Sequence, residues 1–305
     1  MRNNRIYLLI LIMSFEILFS QDTIIPLWPG TTPNHLETEE TEIQTKTDVL
    51  RISKVQQPDI AVYLPSKANS IGKGMLIFPG GGYGVLAYDW EGTDIAKWLN
   101  SKGIAAFVVK YRLPDSRSLI DPHEVPLIDA QRALRIVRGT HEKWNVDPDS
   151  IGIIGFSAGG HLASTLGTHF DQKTYAPSDS LDSLSARPDF MVLMYPVITF
   201  TSAAVHKGSR EALLGHNPDP EMLNHYSTEL QISRETPPTL LVHATDDTGV
   251  PVENSLLFYK GLKEKGVPAT LHIYAKGGHG FSLATGDAYL HSWTDRVISW
   301  LQELP

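Results

Sequence analysis

Three short stretches hold the residues whose types and spacing could do chemistry. The first is Gly155-Phe156-Ser157-Ala158-Gly159, inside the run IGIIGFSAGGHL at 151–162. A serine between glycines, where an apolar strand must reverse sharply into a helix, stands clear of its neighbours as a nucleophile must. A serine hydroxyl is a poor nucleophile at neutral pH; it needs a base in hydrogen-bond reach and a partner that fixes the base's tautomer. The second stretch, Ala244-Thr245-Asp246-Asp247-Thr248-Gly249, offers the partner, and the third, Gly277-Gly278-His279-Gly280-Phe281, offers the base. Each follows an apolar run, so a parallel sheet would bring all three to one edge. Asp246 and Asp247 compete for the acid role, since adjacent residues leave a strand in different directions. Asp247, nearer the following helix, is the choice, and Asp246 is left to brace a loop or a helix start.

Acyl transfer also needs donors for a negative oxygen. Gly74-Met75-Leu76-Ile77-Phe78 is an apolar strand that runs into Pro79-Gly80-Gly81-Gly82-Tyr83, and glycines expose their backbone N–H groups. The expected oxyanion donors are the N–H groups of Gly81, Gly82 and Ala158. Tyr83, Trp90 and His206 are candidate substrate contacts. His161 falls in the first turns of the helix after Ser157, a place for packing or hydrogen bonding. The histidines are scattered without metal spacing, and no metal or other cofactor is expected.

The elements that position these stretches follow from periodicity. Runs at 104–109, 151–156, 190–195, 239–243 and 269–274 read as buried strands beside 74–78. Helices are expected from Glu91 to Ser101, from Pro126 with Leu127, Ala130, Leu134 and Val137 on one face, from Ser157 to Thr168, around Phe258 and Leu262, and at the C-terminus around Trp293 and Val297. Strand alternating with helix predicts a mostly parallel sheet with helices on both faces. Period-two spacing at 47–52 and 60–64 predicts antiparallel strands at its N-terminal edge. The segment from Ile198 to Pro237 reads as a long irregular insertion over the site.

The chain of 305 residues has a net charge of −8 and no cysteine. The acidic balance argues against nucleic acid or an anionic membrane as partner, and the missing cysteines exclude disulfides and thiolate chemistry. Arg2 and Arg5, the apolar run from Ile6 to Phe15, and Leu18-Phe19-Ser20 before Gln21 predict a signal peptide over 1–20, hence a secreted or periplasmic protein with no membrane span after cleavage. Residues 21–305 are expected to form a single α/β domain. Oligomeric state has no signature.

These residues resemble the α/β-hydrolase superfamily, specifically its small esterases similar to hormone-sensitive-lipase-type esterases and bacterial acetylxylan esterases. Pro79-Gly80-Gly81-Gly82-Tyr83 corresponds to that branch's HGGG loop, with proline in place of histidine. Leu27-Trp28-Pro29-Gly30, Lys110-Tyr111-Arg112-Leu113-Pro114, GFSAGGH and GGHGF extend the similarity over the mature chain. The resemblance implies a serine esterase acting on acetyl groups of a plant or algal polysaccharide or its oligosaccharides; the chain departs from it in having no evident large cap domain ahead of the glycine loop. A feruloyl or general short-chain carboxylesterase is the alternative; a serine peptidase or a non-catalytic binding protein on the same fold fits less well.

Overall fold

The computed structural model describes residues 23–304; the expected signal peptide over 1–20 lies outside the described residues. The chain first makes strands β1 (Thr23–Pro26), β2 (Ile43–Lys46), β3 (Leu50–Ser53), β4 (Asp59–Tyr63), β5 (Gly74–Phe78) and β6 (Leu86–Ala87). A π-helical turn over Asp89–Thr93 leads into α1 (Asp94–Ser101), then come β7 (Ala105–Lys110), α2 (Val125–Gly139), α3 (His141–Trp144), β8 (Ile151–Phe156) and α4 (Ala158–Thr168). After β9 (Met191–Met194), helices α5 (Lys207–Leu214) and α6 (Pro220–His225) precede β10 (Thr239–Ala244), α7 (Glu253–Lys265), β11 (Ala269–Tyr274), α8 (Ala288–His291) and α9 (Trp293–Glu303).

Eight strands form one sheet in the order β1-β4-β7-β5-β8-β9-β10-β11. β1 and β4 pair antiparallel at one end, and every pairing from β7 to β11 is parallel. Alternation along the strands builds two cores. Leu76, Phe78, Phe107, Ile153 and Leu193 face α2, α4 and α7 through Leu134, Leu162 and Phe258. Met75, Ile77, Val108, Ile154 and Val192 face α1 and α9 through Leu99, Trp293 and Val297. Strands covered on both faces read as unbroken apolar runs, which is why they were visible in the sequence.

Three expectations need correction. The alternation at 47–52 does not join the main sheet: β3 pairs with β2 and β6 in a separate three-stranded sheet. Ile52 of β3 packs into the core with Leu50 beside it, but β2 is exposed throughout, so the hairpin touches the core through one strand without pairing with the main sheet. The helix expected from Glu91 begins as the π-turn, and its regular part starts at Asp94. The insertion after Ile198 is not wholly irregular but carries two short helices: Asp219 accepts the Met222 N–H and Pro220 opens α6, while His206 caps α5; neither is long enough to show an apolar period.

The Leu27-Trp28 and Tyr111-Arg112 segments prove structural. The Arg112 guanidinium and backbone N–H both reach Asp129, the Trp28 indole N–H donates to the same carboxylate at 2.9 Å, and Arg112 and Asp129 are fully buried. Losing one partner of such a pair would leave a buried charge unmatched.

The strand-to-helix turn after β8 is packed against the end of β5. A Cβ on Gly159 would come within 2.1 Å of the Phe78 carbonyl oxygen and 2.6 Å of the Pro79 oxygen. Gly159→Ala gains up to about 1 kcal/mol of helix propensity but meets unyielding backbone, an overpacking cost of about 3 kcal/mol or more. Urea unfolding should therefore show a net loss of about 2 kcal/mol; an unchanged or raised midpoint would contradict this packing.

Candidate active site

Ser157 occupies the turn between β8 and α4 with φ +52° and ψ −116°. For a residue with a Cβ this costs on the order of 1–3 kcal/mol and persists only where the surroundings enforce it. Here they do: Ser157 N–H donates to Met194 O at 3.0 Å, and Ser157 O accepts from His161 and Val197 N–H. The side chain is thereby lifted from the sheet toward the loop after β11. Its Oγ lies 2.8 Å from His279 Nε2, and His279 Nδ1 lies 2.6 Å from Asp247 Oδ2. A carboxylate only accepts, so Nδ1 carries the proton and Nε2 presents its lone pair to the serine hydroxyl.

Asp247 is fixed more completely than its sequence position suggests. Oδ1 accepts the N–H groups of Gly249 at 2.9 Å and Val250 at 2.8 Å. Oδ2 accepts from His279 and also from His243 Nε2 at 3.2 Å. The same His243 Nε2 donates to Val250 O at 2.9 Å, which fixes that proton, while Nδ1 accepts from Ser255 Oγ at 2.8 Å. Burial alone would push the Asp247 carboxyl up, but the hydrogen bonds from His243, His279 and Val250, with the His279 charge, outweigh it and hold it well below the usual carboxylate range. Asp246 faces the other way: Oδ1 accepts the Gly278 N–H at 2.8 Å and braces the loop that carries His279.

On the other side of Ser157 lies the glycine loop. No acceptor among the described residues takes the N–H of Gly81, Gly82 or Ala158. Ala158 opens α4, so its N–H has no partner within the helix. The Gly80 N–H is different, because it donates to Glu91 Oε2 at 2.9 Å. Glu91 is buried, and its Oε1 accepts the Tyr195 hydroxyl at 2.8 Å. Tyr195 Oη in turn accepts the Ser282 N–H at 3.0 Å, and its ring stands edge-on to His279 at 5.2 Å.

The candidate substrate contacts divide. Trp90 is 37% exposed, with its indole N–H on Gly280 O at 2.9 Å, immediately beside His279. His206 is half-buried and accepts from Ser209 N–H and Oγ; burial and the nearby His279 charge hold it below the usual histidine range. Tyr83 is placed differently from expectation. It is 1% exposed, with its hydroxyl 2.8 Å from His161 Nδ1, so its ring is a wall behind the loop rather than a surface a substrate touches. His161 Nε2 donates to Tyr226 O at 2.8 Å, which ties the glycine loop through α4 to the insertion. Glu91, Tyr195 and His243 were not singled out from the sequence. An acid at a helix start reads as a dipole partner, and a tyrosine or histidine at a strand end reads as core.

Burial brings both His161 and His169 down to about 4, with the His225 charge a lesser cause for His169. Both stay neutral in the folded state while the unfolded chain protonates near the ordinary value of 6.5. Between those values the unfolded state binds more protons, so stability must fall as pH drops from 6.5 toward 4. Urea midpoints measured across that window should decline, and less steeply in His169→Gln; a midpoint independent of pH would contradict this.

Among the described residues no group of His, Asp and Glu could hold a metal ion, and no helix is long and apolar enough to cross a membrane. The BD-FAE family model matches residues 60–262, from β4 into α7. An acetylxylan esterase of Xylanibacter ruminicola is 35% identical over 264 residues, which is 85% of this chain and 51% of that protein. An endo-1,4-beta-xylanase B of Butyrivibrio fibrisolvens is 38% identical over 230 residues, 75% of this chain and 35% of that protein. The chain thus spans about half the length of the first curated relative and about a third of the second. The crystal structure of an acetyl ester-xyloside bifunctional hydrolase from Caldicellulosiruptor lactoaceticus is 40% identical, with a TM-score of 0.81 over 94% of this chain and 98% of that one. The parallel sheet, the turn at Ser157 and these similarities lead to one assignment: the chain belongs to the BD-FAE family and has the α/β-hydrolase fold.

Proposed function

We propose that the chain is a serine carbohydrate esterase that removes acetyl groups from a plant or algal polysaccharide or its oligosaccharides. The observation that carries the reaction class is the hydrogen-bonded line from Ser157 Oγ through His279 to Asp247, set beside three N–H groups with no acceptor among the described residues. His279 Nε2 takes the hydroxyl proton as Ser157 Oγ attacks the ester carbonyl. The oxyanion accepts from Gly81, Gly82 and Ala158 N–H, donors that need no reorganisation as charge develops. Collapse breaks the carbon–oxygen bond to the sugar, whose oxygen receives the proton from His279. Water then attacks the acetyl-serine by the same proton route and acetate leaves. Asp247 holds the imidazole orientation and faces the transient imidazolium.

The acetyl-sugar reading is supported by the names of the relatives, an acetylxylan esterase and an acetyl ester-xyloside hydrolase. Trp90 fits it: a flat aromatic face beside the base, held by its own N–H, is a platform for the apolar face of a sugar ring. The test is acetate release from acetylated xylan measured beside ferulate release from feruloylated arabinoxylan. Acetate release should dominate, Ser157→Ala should lower it by roughly 10³-fold or more, and Trp90→Ala should raise KM for acetylated xylo-oligosaccharides more than for p-nitrophenyl acetate. Dominant ferulate release would move the protein to the feruloyl esterases, and full activity in Ser157→Ala would remove the mechanism.

Export is part of the same proposal, resting on the basic, apolar and small-residue order of 1–20. Protein recovered outside the cytoplasm should begin at Gln21; retention of Met1 would contradict cleavage.

A further inference from the structure

Glu91 is a carboxylate 4% exposed, and among the described residues it has no lysine or arginine partner. Its two oxygens face two donors, the Gly80 N–H and the Tyr195 hydroxyl, and Tyr195 is itself satisfied by the Ser282 N–H. This is the hydrogen-bond pattern of the ionised form: a proton on either oxygen would point at another donor or displace the tyrosine proton. An anion without a counter-ion is costly to bury, and an uncharged residue of the same shape would be cheaper. Its position gives the reason for keeping it. A Cβ on Gly80 would lie 2.6 Å from Glu91 Oε2 and 3.0 Å from Ser157 Cβ, so the carboxylate and Ser157 both border Gly80 at the start of the glycine loop. A positive charge formed on His279 would lie within its electrostatic reach.

We propose that Glu91 is a positioning residue for acyl transfer: as a buried anion it claims the Gly80 N–H, so that Gly81 and Gly82 point theirs at the oxyanion, and it supplies a second negative neighbour to His279. This rests on the esterase reading above. One group ties together the loop after β5, the end of β9 through Tyr195, and the loop after β11 through Ser282, three of the segments around the reacting atoms. The other ionisable groups facing this region are few. Tyr111, at the end of β7, donates its hydroxyl to Pro79 O, and burial keeps both Tyr111 and Tyr195 protonated. Across His279 stand Asp247 and His206. On the element of Glu91 itself, Asp89 is paired with Lys46, and the neighbouring Asp94 with Lys97.

The test compares Glu91→Gln, Glu91→Ala and Ser157→Ala with the wild type on p-nitrophenyl acetate, with pH profiles and thermal unfolding. Glu91→Gln keeps the shape and an acceptor for Gly80 but loses the charge. It should lower kcat about tenfold with KM within about twofold, move the acid limb of kcat/KM to lower pH by about half a unit, and leave the unfolding midpoint unchanged or higher. Glu91→Ala, which also frees the Gly80 N–H, should lower kcat about a hundredfold. Wild-type kcat and an unmoved acid limb in Glu91→Gln would overturn the proposal, as would a loss of activity that only tracks a fallen midpoint. If Ser157→Ala is inactive while Glu91→Gln is normal, the inference on Glu91 fails alone; if Ser157→Ala is active, the esterase mechanism fails with it.

Discussion

The site depends on a single backbone conformation, the positive φ of Ser157. A strand that ended in the ordinary extended region would leave its side chain in the sheet, where both faces are filled. Reversal within one residue lifts Oγ to the C-terminal edge, starts α4 at Ala158 and leaves the Ala158 N–H without a partner in the helix. The strain is distributed: Met194 and Val197 hold the Ser157 backbone, and Gly159 lets the new helix lie against the carbonyls of Phe78 and Pro79. The lifted serine hydroxyl, the unpaired Ala158 N–H and the helix packing are therefore one constraint rather than three features.

Around that turn the protein places two carboxylates with different surroundings. Asp247 accepts from two imidazoles and two backbone N–H groups, enough to keep it ionised despite burial. Glu91 has only two donors, and burial pushes its carboxyl up, against the hydrogen bonds from Tyr195 and Gly80. One anion is secured by a dense set of donors and holds the His279 ring through Nδ1. The other is held at higher cost behind the glycine loop, the pattern expected where stability is yielded for function.

Much of the fold was legible because β5, β7, β8, β9 and β10 are covered on both faces and so read as apolar runs separated by helices with one buried stripe. Ser157, Asp247 and His279 were legible because each follows such a run and lies among glycines or turn residues; the structure brings all three within hydrogen-bond distance. What was not legible depends on contacts far apart in sequence. Nothing local distinguishes Glu91, whose partners Tyr195 and Gly80 lie 104 and 11 residues away, from an acid at an exposed helix start. Tyr83 follows the glycines and looked available to substrate, but only the docking of α4 and the insertion decides that its hydroxyl turns inward to His161. The residues at 47–52 alternate as an edge strand should, yet β3 pairs with β2 and β6 and reaches the core only through Ile52 and Leu50.

The central claim is that Ser157 Oγ becomes the acylated atom. Stoichiometric inactivation with a fluorophosphonate ester, followed by peptide mapping, tests it most directly, since an activated serine displaces fluoride and keeps the phosphonyl group. One label per chain is expected, on the peptide containing Ser157, appearing in step with loss of esterase activity. Label on another residue with loss of activity, or full activity after Ser157 is labelled, would contradict it.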